Sequence, residues 1–264
     1  MILKTINTKD IIEYLLYAER DAHEVGKITD EYPEITIEEA YVLQDGLLRK
    51  RLQENHTKRV GIKLGLTSKE KQDMMGVKQP IYGYLHQDML AYEWEPFYCS
   101  ELIHPKIEPE IAFFIGEDIL GENITEENIL QATKYVAPAM EITDSRYKNF
   151  HFTLVDVIAD NCSSAKFVVG SNLQSPHSID LGNIGMVISK NGIVEQTGSS
   201  AAVLGHPLKA MASAANLLGK RGKGFKKGDI VLSGAMSEAI AIQAGDKVVA
   251  DFDKLGTVSI SCMD

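Results

Sequence analysis

The chain has 264 residues and an apolar fraction of 44%, enough to bury a core without disulfide staples. Its net charge of −10 disfavours nucleic acid or an anionic membrane as partner, because both need clustered Lys and Arg. Cys99, Cys162 and Cys262 are an odd count with no Cys-x-x-Cys pair, which argues against a disulfide framework and a thiolate metal site. With no signal-peptide pattern and no long apolar run, the expectation is a soluble cytoplasmic protein.

In chain order, Ile11, Leu15, Ala18, Ala22 and Val25 recur at helical spacing, predicting a helix from Thr8 to Val25 that stops at Gly26. Thr36-Ile-Glu-Glu39 is a capping-box pattern opening a second helix, with Ala40, Leu43 and Leu47 on one stripe. The two helices read as a cover or an oligomer contact, with His23 and His56 on their polar sides. Gly61-Ile-Lys-Leu-Gly65 sets Lys63 between apolar residues on a short strand or turn. A buried functional lysine and a surface stem both account for it. Thr67-Ser-Lys-Glu70 starts a short helix ending near Gly76. Pro80-Ile-Tyr-Gly83 then reads as a loop whose glycine admits close approach of a ligand.

The stretch His104-Pro-Lys-Ile-Glu-Pro-Glu-Ile-Ala-Phe-Phe-Ile115 carries two acids inside an apolar segment. As a strand it puts Glu108, Glu110, Ala112 and Phe114 on one face and Ile107, Ile111, Phe113 and Ile115 on the other. Pro109 lacks a backbone donor, which predicts an edge strand or a bulge. Thr125-Glu-Glu-Asn128 opens a helix reaching about Tyr135. The following strand, Val136 to Thr143, holds a third acid, Glu141, and a parallel crossover would bring it beside the first two.

Asp144-Ser-Arg-Tyr147 and Asp156-Val-Ile-Ala-Asp-Asn-Cys-Ser-Ser164 are rich in capping and turn residues, and Lys166 to Val169 reads as a strand. Asn191-Gly192, between alternating apolar residues, predicts a hairpin. His206-Pro207 begins a helix with proline in its favoured first position. Lys220-Arg-Gly-Lys-Gly-Phe-Lys-Lys227 reads as a solvated loop. The closing short strands with glycine turns suggest a curled mixed sheet. With no repeat or linker, the expectation is α+β and one catalytic domain over 1–264, comprising a helical part at 1–58 and a mixed-sheet core at 59–264.

Three glutamates on apolar strands repel one another and lose hydration, so they need protons, basic partners or a cation. An all-oxygen set without His or Cys at ligand spacing suits Mg2+ or Mn2+ rather than zinc. A structural network with Lys63 or Arg146 accounts for the acids equally well. His104 precedes Glu108, but Pro105 interrupts the strand between them. No Gly-x-Gly-x-x-Gly, phosphate-loop or Gly-x-Ser-x-Gly pattern supports a nucleotide cofactor or a serine hydrolase.

Six ordered motifs carry a resemblance: Gly61 to Lys69, Gly76 to Gly83, His104 to Phe113, Pro138 to Arg146, Ala159-Asp-Asn161 and Ala202-Val-Leu-Gly-His-Pro207. Together they resemble the hydratase and decarboxylase family of aromatic meta-cleavage pathways, within the fumarylacetoacetate hydrolase-like superfamily. The resemblance implies a mixed beta-roll core and a divalent metal, Mg2+ or Mn2+, on Glu108, Glu110 and Glu141. It also implies an active-site role for Lys63 and substrate contact in the segment of Ser164. The run from Asp144 to Phe150, followed by that from Asp156 to Asn161, is more similar to the decarboxylases than to the hydratases. The implied reaction is metal-dependent loss of CO2 from 2-oxohex-3-enedioate, a 2-oxo dicarboxylic acid, giving 2-hydroxypenta-2,4-dienoate. The alternatives are hydration of that dienoate to 4-hydroxy-2-oxopentanoate, and a non-catalytic partner subunit. The implied partners are copies of the chain in a homo-oligomer and the pathway hydratase.

Overall fold

The structure, a computed structural model, describes residues 7–264, so the first six residues of the expected N-terminal helical part lie outside the described residues. Three helices come first: α1 (Thr8–Arg20), α2 (Ile28–Glu31) and α3 (Ile37–Glu54). The first is shorter than its periodicity suggests. Ala22 takes a φ of +45° and Val25 forms an isolated bridge to Tyr147, so tertiary pairing ends the helix before Gly26. At α3 the expected cap is present: the Thr36 hydroxyl accepts from the Glu39 N–H, and the Glu39 carboxylate accepts from the Thr36 N–H. Ala40, Leu43 and Leu47 are buried. His23 and His56 are exposed.

The chain continues with β1 (Arg59–Gly65), α4 (Lys69–Met74), β2 (Ile81–His86), β3 (Leu90–Ala91), β4 (Phe97–Tyr98), β5 (Lys106–Ile115), β6 (Ile119–Leu120), α5 (Glu126–Ala132) and β7 (Thr133–Thr143). After it come α6 (Leu154–Ala159), β8 (Ser164–Val169), β9 (Gly185–Lys190), β10 (Ile193–Ser199), α7 (Pro207–Lys220) and β11 (Gly224–Phe225). The last strands are β12 (Ile230–Leu232), β13 (Ile240–Ala241), β14 (Lys247–Phe252) and β15 (Gly256–Met263).

One mixed sheet runs β2-β1-β12-β5-β7-β8-β3, with β13 also paired to β5, and a second runs β10-β9-β14-β15-β4. The first sheet curls until β2 meets β8. Strand alternation then sorts side chains between two environments. Leu85, Ala112, Ala139, Phe167 and Leu232 pack together on the inner face. Ile107, Ile111, Phe113 and Ile115 join a larger core shared with the helices and the second sheet.

Several local expectations change on folding. Residues 81–86 form a fully buried strand, not a loop. A Cβ on Gly83 would lie 2.5 Å from the Asn161 carbonyl oxygen, so the glycine admits a neighbouring turn of the protein itself. Strand β7 returns antiparallel to β5, because the chain leaves β5 at Ile115 and re-enters opposite it at Thr133. Nor is β5 an edge strand, and its register with β7 is unbroken at Pro109. The proline falls between the stretches paired with β12 and β13, where its carbonyl accepts from the Met236 N–H. A loop faces the missing N–H there, so no sheet hydrogen bond is lost.

The cap of α4 is Ser68, whose hydroxyl accepts from the Lys71 N–H, rather than Thr67. In the basic run, Phe225 is buried and β11 pairs with β6. The hairpin turn at Asn191 and Gly192 has φ of 54° and 81°, as a primed turn requires. His206 caps α7 through Nδ1, which accepts from the Leu208 N–H.

Candidate metal and substrate site

Glu108 on β5 stands directly opposite Glu141 on β7, and Glu110 shares their face two residues along. Like charges in such a cross-strand pair destabilise a sheet unless something compensates them. Oxygens of the three carboxylates lie within 4.8 Å of one another. Lys63 joins them from β1, on the same inner face, with its Nζ 2.9 Å from Glu141 Oε2 and donating to the Cys162 carbonyl at 3.2 Å. Lys63, Glu110 and Glu141 are buried, so the surface-stem reading of Lys63 is excluded.

Lys71, on α4, brings a second ammonium 3.2 Å from Glu108 Oε1. Arg146 is not available to the acids. Its guanidinium pairs with Asp160 and donates to the carbonyls of Asp144 and Ser164. Three carboxylates therefore face two ammonium groups, and the deficit appears in the titration behaviour. Burial, reinforced by the Glu141 charge, raises the Glu110 pKa well above the ordinary carboxyl range. Burial pushes Glu141 up to about 7, against the opposing pull of Lys63. Burial would lower the Lys63 pKa, but the acids around it, Glu141 foremost, raise it instead. Glu108 raises the pKa of Lys71.

The arrangement suits a divalent cation. Glu110 Oε2 accepts from the Gly234 N–H at 2.6 Å, whereas Glu110 Oε1 and Glu141 Oε1 are buried without hydrogen-bond partners. Buried orphan carboxylate oxygens are costly. Converging on one point, they form an oxygen donor set of the kind that hard cations prefer.

Above the acids is a cavity of about 610 Å3, lined by Lys63, Lys71, Glu108, Phe150, Phe152 and Ser163 among others. Ser164, at the start of β8, is fully buried. Its hydroxyl is buried without a hydrogen-bond partner, while Ser163 forms the cavity wall. Asn161, Cys162 and Ser163 all take left-handed φ, from 50° to 56°, a conformation costing about 1–2 kcal/mol per residue outside glycine. The Asn161 amide holds this turn by accepting from the Tyr84 N–H at 2.7 Å and donating to the Tyr84 carbonyl at 2.9 Å. It presents the Cys162 carbonyl to Lys63. The Cys162 thiol is pushed up to about 12 by burial, so it is not a nucleophile near neutral pH.

His104 lies outside the acid group. Its Nδ1 is 3.1 Å from Glu24, and its ring packs against Phe150. Nothing in the sequence pattern marks Lys71, the left-handed turn or the Gly234 N–H. Lys106 also lines the cavity. Strand alternation could have found it, since it shares the face of Glu108 and Glu110.

A curled mixed sheet carrying three acids on paired strands under a cavity defines a metal-site scaffold, and the chain belongs to the fumarylacetoacetate hydrolase family. Residues 53–261 match the family described as fumarylacetoacetate (FAA) hydrolase, C-terminal. Among individual relatives, 4-oxalocrotonate decarboxylase of Pseudomonas putida is 40% identical over 97% of this chain and 98% of its own length. A 2-hydroxyhexa-2,4-dienoate hydratase of Comamonas testosteroni is 39% identical over 93% of this chain and 94% of its own. The structure of 4-oxalocrotonate decarboxylase from Pseudomonas putida G7, complexed with magnesium and adipate, superposes with a TM-score of 0.94 at 38% identity. That match covers 98% of this chain and 100% of the other. Among the described residues no helix is long and apolar enough to cross a membrane.

Proposed function

We propose that the protein is a divalent-metal-dependent carboxy-lyase that converts 2-oxohex-3-enedioate to 2-hydroxypenta-2,4-dienoate and CO2. The observation that carries this reading is the charge deficit: three converging carboxylates, two of them with orphaned buried oxygens, against two ammonium groups. Glu108, Glu110 and Glu141 would hold Mg2+ or Mn2+, which supplies a Lewis acid for the C1 carboxylate and the 2-oxo oxygen.

The bond that breaks is C5–C6. Its electron pair passes through the C3–C4 double bond to the 2-oxo oxygen, C6 leaves as CO2, and that oxygen takes up one proton from solvent to give the 2-hydroxy product. Lys63 is in reach of the acids that would anchor this end, and its ammonium neutralises the charge developing on that oxygen. Lys63 also opposes the rise that burial imposes on the Glu141 pKa, favouring the charged form that a cation needs. Phe150, Phe152 and Val157 give the cavity an apolar wall, which favours neutral CO2 over a solvated carboxylate.

Likeness to the Comamonas hydratase, nearly equal to that of the decarboxylase, supports a second reading: hydration of the dienoate to 4-hydroxy-2-oxopentanoate on the same site. Product analysis separates them. CO2 release from 2-oxohex-3-enedioate with Mg2+ supports the first reading. Water addition to the dienoate without CO2 release from the diacid supports the second. Turnover of neither substrate until the pathway hydratase is added would mean a non-catalytic subunit. Exposed Trp94, Ile193 and Val194 are consistent with burial in a homo-oligomer.

A further inference from the structure

The cavity contains three lysines, and two are committed to the acids, Lys63 to Glu141 and Lys71 to Glu108. The third, Lys106, forms no ion pair with any carboxylate among the described residues. Its Nζ lies 4.3 Å from the centroid of the Phe150 ring, a cation–π contact that holds the ammonium against the cavity wall. Rim acids Glu70 and Glu238 are exposed, so water screens them from it.

The position of Lys106 relative to the acids is set by the strand. It lies two residues from Glu108 on the same face of β5, about 7 Å away along the strand. An extended six-carbon diacid spans about 6 Å between its end carbons by ordinary chain geometry. A ligand whose first carboxylate sits at the acids therefore carries its far end toward Lys106. Thr143, opposite Lys106 in the register with β7, lines the same end of the cavity.

The wall behind Lys106 is built under strain. Asn149 and Phe150 both have φ of 57°, outside the favoured region for non-glycine residues. Glu24 holds this turn by accepting from the Asn149 N–H at 3.0 Å while pairing with His104, whose ring packs on Phe150. Strain kept in place by such contacts gives Phe150, and with it the ammonium, a fixed location. A purely solvated lysine stem needs no such support.

We propose that Lys106 binds the far carboxylate of the substrate, so that the cavity selects dicarboxylates over monocarboxylates of equal length. The inference rests on the metal-site reading above for the anchoring of the near carboxylate. It also bears on the choice of reaction, because the decarboxylase substrate carries a second carboxylate and the dienoate does not.

The test is calorimetric titration of adipate and hexanoate, unreactive six-carbon acids differing in one carboxylate, into the Mg2+-loaded protein and its Lys106→Met and Lys106→Arg variants. Wild type should bind adipate about tenfold more tightly than hexanoate, the lower end expected for a charge-assisted hydrogen bond. Lys106→Met should abolish this preference without changing hexanoate affinity, and Lys106→Arg should retain it. Equal weakening of both acids by Lys106→Met would mean a structural role and overturn the proposal. So would wild type that binds the two acids alike, or a Lys106→Met variant that keeps its preference. CO2 release is scored separately, so a protein that does not decarboxylate still reports whether Lys106 reads the far carboxylate.

Discussion

Glu110→Gln is the sharpest probe of the three-acid site, because it is nearly silent in the metal-free protein. Burial and the Glu141 charge raise the Glu110 pKa well above the ordinary carboxyl range, so the metal-free site disfavours a charge there and accepts a neutral amide of the same shape. Its oxygen must face the Gly234 N–H, as Glu110 Oε2 now does. The NH2 group then occupies the position of Oε1, which turns an acceptor aimed at the cation into a donor that cannot ligate.

Wild type held in Mg2+ at 100 times its Kd gains about 2.7 kcal/mol. For a domain of this size that raises Tm by about 5–10 °C. Loss of even an outer partner of a metal site weakens affinity by about 10–100-fold, so loss of a ligand should reach the top of that range. At the same Mg2+ concentration the gain then falls to about 0.4 kcal/mol, or about 1 °C. The assay is a thermal melt with EDTA and with MgCl2, read beside CO2 release. We expect metal-free melts within about 2 °C of each other and loss of both the Mg2+ effect and turnover in the variant. An unchanged Mg2+-induced rise would refute the assignment of Glu110 as a ligand.

Two further outcomes follow from the same geometry. Glu141 binds its proton more tightly folded, at about 7, than at its ordinary value of 4.5. Its contribution to metal-free stability is thus present below about pH 4.5 and lost as pH rises through about 7, whereas metal binding needs the charged form. The Mg2+-induced rise in Tm should therefore grow between pH 6 and pH 8, and a rise independent of pH would contradict this. At Gly83, an added Cβ would meet the Asn161 carbonyl at 2.5 Å. Gly83→Ala should cost about 1–3 kcal/mol in urea denaturation and lower turnover by shifting the Cys162 carbonyl away from Lys63; an unchanged midpoint would show that the turn gives way freely.

Legibility differed by element. The cap at Thr36, the turn at Asn191-Gly192 and the proline after His206 were readable because each acts within a few residues of itself. The end of α1 was not, because a bridge from Val25 to Tyr147 overrides local periodicity. Nor was the strand at 81–86, whose Gly83 is packed against a turn nearly 80 residues later. Pro109 predicted an edge strand by a sound local rule, and the gap between β12 and β13 satisfied that rule inside the sheet.

The sequence by itself determined that Glu108 and Glu110 share one face of an apolar strand and need a compensating charge, since period-two alternation is a property of the backbone alone. Together with the resemblance, it singled out Glu141 and Lys63. Only the tertiary structure decided how the charges balance. The antiparallel return of β7 sets Glu141 against Glu108, Arg146 is drawn away to Asp160, and α4, a helix legible in the sequence, brings Lys71 to Glu108, a pairing that is not legible there. Charge compensation depends on distance and desolvation between strands far apart in the chain, and those are fixed only when the sheet closes.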